Sequence, residues 1–182
     1  MIYREFKEED IEKLLKLTDD LIGINYYSYQ DLYKIYKNGF YKGEQLSIII
    51  EDKDIIGFRF TLAPNTWLDK KIAPELWGVK KEEVAYFQSI FIAKHMTGQG
   101  IGRIASLKSI EKLKRLGVKA VVCHSHVESP NNSSQKYLLK LGFKNIKEYP
   151  LFWSNIDYLC DTCKVNPCKC TAREMIKVLY ED

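Results

Sequence analysis

The sequence predicts a mixed α/β fold, of the α/β (α+β) kind. Three observations predict it. Apolar runs rich in β-branched and aromatic residues alternate with helix-like stretches, in the order strand, two helices, three strands, helix, strand, helix, strands. No internal repeat and no linker interrupts that order, so residues 1–182 are expected to form a single domain, with a cysteine-rich hairpin at 158–171. A chain of 182 residues, 46% hydrophobic and 29% charged, can bury a core without staples.

Ile2 to Phe6 reads as a short strand. Glu8, Glu9 and Asp10 then open a helix with acids in its first turn, where the helix dipole favours them. Ile11, Leu14, Leu15 and Ile22, with Thr18 between, mark one face of it. Ser28 with Asp31 three residues on is a capping-box variant for a second helix, ending at Asn38-Gly39. That helix carries several of the chain's twelve tyrosines, which suggest walls of a pocket, although amphipathic Tyr also packs at core edges.

Gln45 to Glu51 and Ile55 to Ala63 are strand-like runs around Asp52-Lys53-Asp54, a hairpin signal. Pro64 to Lys81 is an irregular insertion with Trp67, Pro74 and Trp77, of a length that tends to form lids or rims. Val84 to Ala93 is the next strand, and a helix runs from Arg103 to Leu116. Its apolar residues (Ile101, Ile104, Leu107, Ile110, Leu113, Leu116) recur every third position, which winds the stripe around the helix. Its length, basic last turn and stop at Gly117 nevertheless favour helix. Val118 to Val127 reads as a buried strand, and Asn131 to Leu141 as a helix with Gly142 at its C′ position. Phe143 to Trp153 returns to β. Thr171 to Tyr180 alternates at Ala172, Glu174, Ile176 and Val178 but also fits a short helix.

A net charge of +4 and pI near 8.6 suit a polyphosphate ligand but fall short of a nucleic-acid signature. The N-terminus is charged from Arg4 and lacks an apolar secretory core, and no apolar run has the length of a membrane span. The expected compartment is cytoplasmic, with cysteines as thiols or metal ligands.

Between strand and helix lies Thr97-Gly98-Gln99-Gly100-Ile101-Gly102. Strand, glycine turn and helix aim several backbone N–H groups and a helix N-terminus at one anion. A P-loop would close its glycines with Lys-Ser/Thr, whereas Gly102 is followed by Arg103-Ile104. A Rossmann fingerprint needs a different glycine spacing within a βαβ unit, and the strands before this turn read as an antiparallel meander.

From Val84 to Phe143 the chain resembles the GNAT acetyltransferases, whose phosphate loop follows Gln/Arg-x-x-Gly-x-Gly/Ala. Gly100 and Gly102 match its small residues, and Thr97 stands where Gln or Arg is usual. A second match is independent: Asn131, a helix, then Leu141-Gly142-Phe143, twelve residues from Asn to Phe as in the family. The resemblance implies a GNAT-like, mostly antiparallel central sheet flanked by helices on both faces. It implies acetyl-CoA as co-substrate, its pantetheine arm facing the backbone of Ile90, Phe91 and Ile92 between two splayed strands. Amides of Thr97, Gly98, Gln99, Gly100, Ile101 and Gly102 would wrap the pyrophosphate, Arg103 or Lys108 would meet a phosphate, and Asn131 would bond near the pantetheine.

The implied reaction is direct attack of an amine on the thioester, which needs a base for the ammonium and an acid for the leaving thiolate. Many members carry Tyr five residues before the Gly-Phe phenylalanine. Here that position is Leu138, and the neighbouring Tyr137 is the candidate acid, with an orienting or packing role as the alternative. For the base, the first strand offers only Gln88 and Ser89. The second offers His124, His126 and Glu128, which share a strand face by the period of two. His126 is the candidate by its ordinary pKa, with Glu128 beside it. Structural histidines and a water relay are the alternatives.

Cys160, Cys163, Cys168 and Cys170 lie within eleven residues. A C-x-x-C turn lets two thiolates reach one ion, and the C-x-C pair after Asn166-Pro167 completes a four-thiolate set. One structural Zn2+ is expected, its charge offset by Lys164, Lys169 and Arg173. An iron–sulfur cluster, redox disulfides and unliganded thiols remain alternatives. If Thr171 onward matches the family's last strand, the cluster sits at a hairpin tip beside the acceptor groove. Cys123 reads as a small core residue.

The sequence thus predicts an N-acetyltransferase acting on a protein N-terminus, a lysine or a small amine. A non-catalytic acyl-CoA sensor and a zinc-containing interaction module are the alternatives, and a homodimer is left open.

Overall fold

The computed structural model describes residues 1–67 and 70–180 and has the mixed α/β order predicted from the sequence. In chain order come β1 (Ile2–Glu5), α1 (Ile11–Leu21), α2 (Tyr29–Asn38) and the two-residue strands β2 (Phe40–Tyr41) and β3 (Glu44–Gln45). Next are β4 (Ile48–Asp52), β5 (Asp54–Leu62), β6 (Val84–Ile92), α3 (Ile101–Arg115) and β7 (Ala120–His126). α4 (Ser133–Lys140), β8 (Lys144–Tyr149) and β9 (Ala172–Val178) follow. At the start of α2 the Ser28 hydroxyl accepts from the Asp31 amide at 3.1 Å while the Asp31 carboxylate accepts from the Ser28 amide at 2.8 Å, the capping box read from the sequence.

Seven strands form one sheet in the order β1-β4-β5-β6-β7-β9-β8. Its neighbours are antiparallel except β6 and β7, a parallel pair whose crossover is α3. That pair is short. It runs from Val84↔Ala120 to Phe87↔Cys123, while β6 continues to Ile92 and β7 to His126. The two strands therefore part after Phe87. On the other side of β6, Phe60 pairs with Ser89 and Thr61 with Phe87, so Gln88 is an extra residue that bends β6 where the strands separate.

Alternation along β6 fills two cores. Val84 and Tyr86 pack with Leu14 of α1, Leu32 of α2 and Phe58 and Phe60 of β5. Ala85 and Phe87 face Ile110 and Leu113 of α3 and Leu138 of α4. Helices thus cover both faces of the sheet. No helix among the described residues is long and apolar enough to cross a membrane.

One reading holds and two change. In α3 the every-third apolar residues do wind around the helix: Ile101, Ile110, Leu113 and Leu116 are buried, Ile104 and Leu107 are exposed, and Ala105, Ser106 and Ser109 complete the buried face. Small residues let the helix lie close on the sheet, so the buried stripe was masked by polarity. The Pro64–Lys81 insertion is no loose lid at its tryptophans. Trp67 and Trp77 are 1% and 4% exposed, stacked with ring centroids 5.8 Å apart, and the Trp67 indole N–H donates to the Val84 carbonyl at 3.0 Å. Finally, the β run after Phe143 stops at Tyr149, and residues 172–178 are a strand inserted between β7 and β8.

Candidate active site

β6 leads through a 3-10 turn at Lys94–Met96 into the glycine turn and α3. Gly100, with φ 77°, occupies the N-cap position, where no side chain is available to cap the helix. Its left-handed backbone suits glycine, and the first amides of α3 are left for an external acceptor. A Cβ on Gly102 would stand 3.2 Å from Ile90 Cδ1, so glycine there lets α3 approach β6 closely. Thr97 differs from the expectation. Its amide and hydroxyl both donate to the Lys94 carbonyl, at 3.4 and 2.9 Å, so the turn's remaining amides begin at Gly98.

A groove of about 850 Å3 runs along the opening between β6 and β7. Ile90, Phe91, Ile92, the turn from Thr97 to Arg103 (Gln99 excepted), Asn131 and Tyr137 line it. Asn131 has φ 54° in the turn that precedes α4, which brings it to the groove wall. Lys108 lies elsewhere, with its ammonium over the Tyr3 ring.

The Tyr137 hydroxyl is engaged within the fold. It lies 3.0 Å from the Gly102 carbonyl and 2.5 Å from Ser106 Oγ. Ser106 Oγ also accepts from Arg59 Nε and Nη2, at 3.1 and 2.9 Å. Arg59 is 2% exposed and lies over the Phe87 ring at 4.2 Å. Since a carbonyl only accepts, the phenolic proton serves this buried chain, and Tyr137 orients the first turn of α3. Leu138, beside it, is core.

A second cavity, of about 210 Å3, opens beside the groove. The end of α1 and the following loop (Leu21, Ile22, Tyr26) form one wall, Gln88, Ser89 and both strand histidines the floor, and Trp153, Tyr158 and Cys160 to Thr162 the other wall. Ile90, Phe91, His126, Ser134 and Thr162 line both spaces. Tyr27 holds the floor, its hydroxyl 2.7 Å from Ser89 Oγ and accepting from Gln88 Nε2 at 3.2 Å.

His124 and His126 share this face, as the strand period predicts, but differ in chemistry. His124 Nε2 lies 2.9 Å from the Lys71 carbonyl and Nδ1 2.8 Å from the Tyr86 hydroxyl, with the ring stacked on Phe152 at 4.3 Å. The carbonyl requires a proton on Nε2, so the neutral ring accepts from Tyr86. Burial pushes its pKa down to about 3, which makes it structural. His126 Nε2 is buried without a hydrogen-bond partner, 3.6 Å from the Glu128 carboxylate, and the ring meets Trp153 edge-on at 5.1 Å. Its pKa is not the ordinary one expected: burial lowers it, and Glu128 opposes only part of that. Glu128 itself accepts the Thr171 amide on both oxygens, at 3.0 and 2.9 Å, and so holds the entry to β9.

The four clustered cysteines are free thiols whose sulfurs lie within 4.8 Å of one another. Two of the three cations expected to offset them are occupied: Lys164 pairs with Asp161 and Arg173 with Glu148, each at 2.5 Å. Cys123 is buried in the core, as read.

Sequence reasoning missed Glu174. This fully buried carboxylate accepts from the Trp77 indole at 2.5 Å, the Tyr149 hydroxyl at 2.8 Å and the Ala73 amide at 3.1 Å. It fastens the tryptophan insertion to β9. The available signal was its place in an alternation whose other members are apolar or small. Arg59 and Ser106 were missed for a similar reason, being polar residues in buried stripes.

The geometry invites comparison with known proteins. Among curated proteins, none matches the sequence. Among solved structures, the chain is similar to the ribosomal-protein-S18-alanine N-acetyltransferase from Escherichia coli (TM-score 0.71, 12% identity, covering 100% of this chain and 95% of that one). It is also similar to a ribosomal-protein-alanine N-acetyltransferase from Brucella melitensis (TM-score 0.68, 16% identity, 98% and 100% covered). A third is yncA from Salmonella typhimurium, solved with its cofactor acetyl-CoA (TM-score 0.61, 13% identity, 100% and 95% covered). At such identities these likenesses speak for the fold. The family model for the acetyltransferase (GNAT) family matches residues 10–143, well over half the chain and every residue from the first helix through Phe143. The sequence resemblance is therefore a membership: the chain belongs to the GNAT acetyltransferase family, and it is an acyltransferase.

Proposed function

We propose that the protein transfers an acetyl group from acetyl-CoA to a primary amine seated in the smaller cavity. The observation that carries this reading is the junction at His126, where groove and cavity meet around a buried, unpartnered imidazole nitrogen.

The groove's residues fit the co-substrate. The uncapped start of α3 and the amides from Gly98 to Gly102 suit its pyrophosphate. Past Phe87 the edge of β6 facing β7 is unpaired, so Ile90, Phe91 and Ile92 can bond an extended pantetheine arm in the manner of an added strand. Asn131 supports that arm from α4's side of the groove. When bound, acetyl-CoA supplies an activated acyl group.

His126 takes the proton from the attacking amine. Its lowered pKa keeps it neutral near pH 7, so its free nitrogen can accept a proton. Tyr137 positions α3 through Gly102 and Ser106, and as the carbon–sulfur bond breaks the CoA thiolate takes its proton from His126, which has just received one from the amine, or from solvent. With about 210 Å3, the cavity accepts one side chain or a chain end, which suits a peptide N-terminus, a lysine or a small amine.

Release of CoA thiol from acetyl-CoA, measured over a panel of peptides and small amines, tests the reading. Amine-dependent release that yields acetylated product supports it. Tight acetyl-CoA binding with no amine-dependent release favours the acyl-CoA sensor instead.

A further inference from the structure

The segment from 150 to 171 contains no helix or strand, yet its centre is buried. Tyr158, Cys160, Cys168 and Cys170 form a small core of their own, ringed by Tyr26, Trp153 and Ile156. A loop this long needs something to hold it, and three buried thiols with one aromatic ring offer little apolar area.

The sulfur positions show what would hold it. Cys160 and Cys170 sulfurs are 3.9 Å apart, as are those of Cys163 and Cys168. Disulfide sulfurs lie about 2.05 Å apart, so neither pair is bonded. Tetrahedral zinc, with Zn–S of about 2.3 Å, spaces its four sulfurs about 3.8 Å apart. The C-x-x-C turn is closed by the Lys164 amide, which donates to the Cys160 carbonyl at 2.9 Å.

We propose that Cys160, Cys163, Cys168 and Cys170 bind one structural zinc ion, and that this clip builds a wall of the acceptor cavity. The second half rests on the acceptor reading of that cavity. Cys160, Asp161 and Thr162 line it directly. Trp153 carries the wall to His126, and the Cys170 sulfur, a His126 ring nitrogen and a Glu128 oxygen lie within 4.8 Å of one another. The opposite wall leans on the clip as well. A Cβ at Gly23 would stand 2.6 Å from the Leu159 carbonyl, so the loop after α1 packs against this segment without a side chain between. Four thiolates leave the ion no open position, so its role is to shape the cavity.

The test uses the full chain, purified anaerobically. One zinc per chain, exchangeable for cobalt(II) with the intense visible bands of tetrahedral thiolate coordination, is expected. Absence of metal, or iron in its place, overturns the site. Cys163→Ser, at the half-exposed ligand, and chelator-stripped wild type should both lose zinc and melt at lower temperature. Both should keep their affinity for acetyl-CoA while the amine KM rises about tenfold or more. Zinc returned to the stripped wild type should restore that KM. Loss of zinc with an unchanged amine KM overturns the wall. A protein that binds zinc and acetyl-CoA but acetylates no amine refutes the acceptor reading and leaves the metal site standing.

Discussion

The Tyr137 hydroxyl on α4 lies 3.0 Å from the carbonyl oxygen of Gly102, in the first turn of α3. One phenol thus joins the two helices that border the larger groove. If Tyr137 only positions α3, Tyr137→Phe should raise the KM for acetyl-CoA several-fold and cost about 1 kcal/mol of stability. The alkaline limb of its pH–rate profile should match wild type. Disappearance of that limb, with kcat down by about 100-fold, would make Tyr137 an acid after all.

His126→Ala should lower kcat by about 100-fold or more while acetyl-CoA binds as before. Added imidazole should restore part of the rate, because the vacated space adjoins both cavities. Near-normal turnover in the variant would assign the proton transfer to water.

His124 links stability to pH. Its folded pKa, about 3, lies below the ordinary 6.5, so between these values the unfolded chain binds a proton that the folded chain does not. Stability is full above pH 6.5 and falls as pH drops toward 3. At pH 5 the loss is about 2 kcal/mol. Urea midpoints at pH 7.5 and pH 5 should therefore differ, and His124→Gln should narrow the gap. An equal gap in the variant would place the acid sensitivity elsewhere.

Glu174→Ala leaves the Trp77 indole, the Ala73 amide and the Tyr149 hydroxyl without their shared acceptor. The expected cost is about 3 kcal/mol or more, with quenched or shifted tryptophan emission as the Trp67–Trp77 pair loosens. Glu174→Gln keeps one carbonyl oxygen and should lose less. A variant with wild-type stability would show that the insertion holds itself.

The sheet, its helices and the glycine turn were legible in the sequence because their signals are local. Alternation marks strands, Ser28 and Asp31 mark a cap, and Gly98, Gly100 and Gly102 mark a turn whose backbone no other residue replaces cheaply. The smaller cavity was less legible. His126 and His124 look alike in a strand pattern, and only three-dimensional neighbours separate them: Lys71 and Tyr86 occupy one ring, while the other keeps a bare nitrogen. The same holds for Arg59, Ser106 and Glu174, whose partners come from distant segments. In α3 the winding apolar stripe was legible, but Ala105, Ser106 and Ser109 were not, because close packing of helix on sheet selects small side chains whatever their polarity.

The strand order carries a consequence for how the chain folds. β9 lies between β7 and β8, so β8 joins the sheet only through a strand that follows it in sequence. Until β9 docks, β7 presents an open edge, and β8 with the cysteine segment behind it has no sheet to join. Closure of a connection this long makes the last insertion a late, non-local step. The smaller cavity depends on it, since its wall is built by Tyr158 and Cys160 to Thr162. The smaller cavity is therefore completed only when β9 is in place, whereas the groove draws on β6, the glycine turn, α3 and α4.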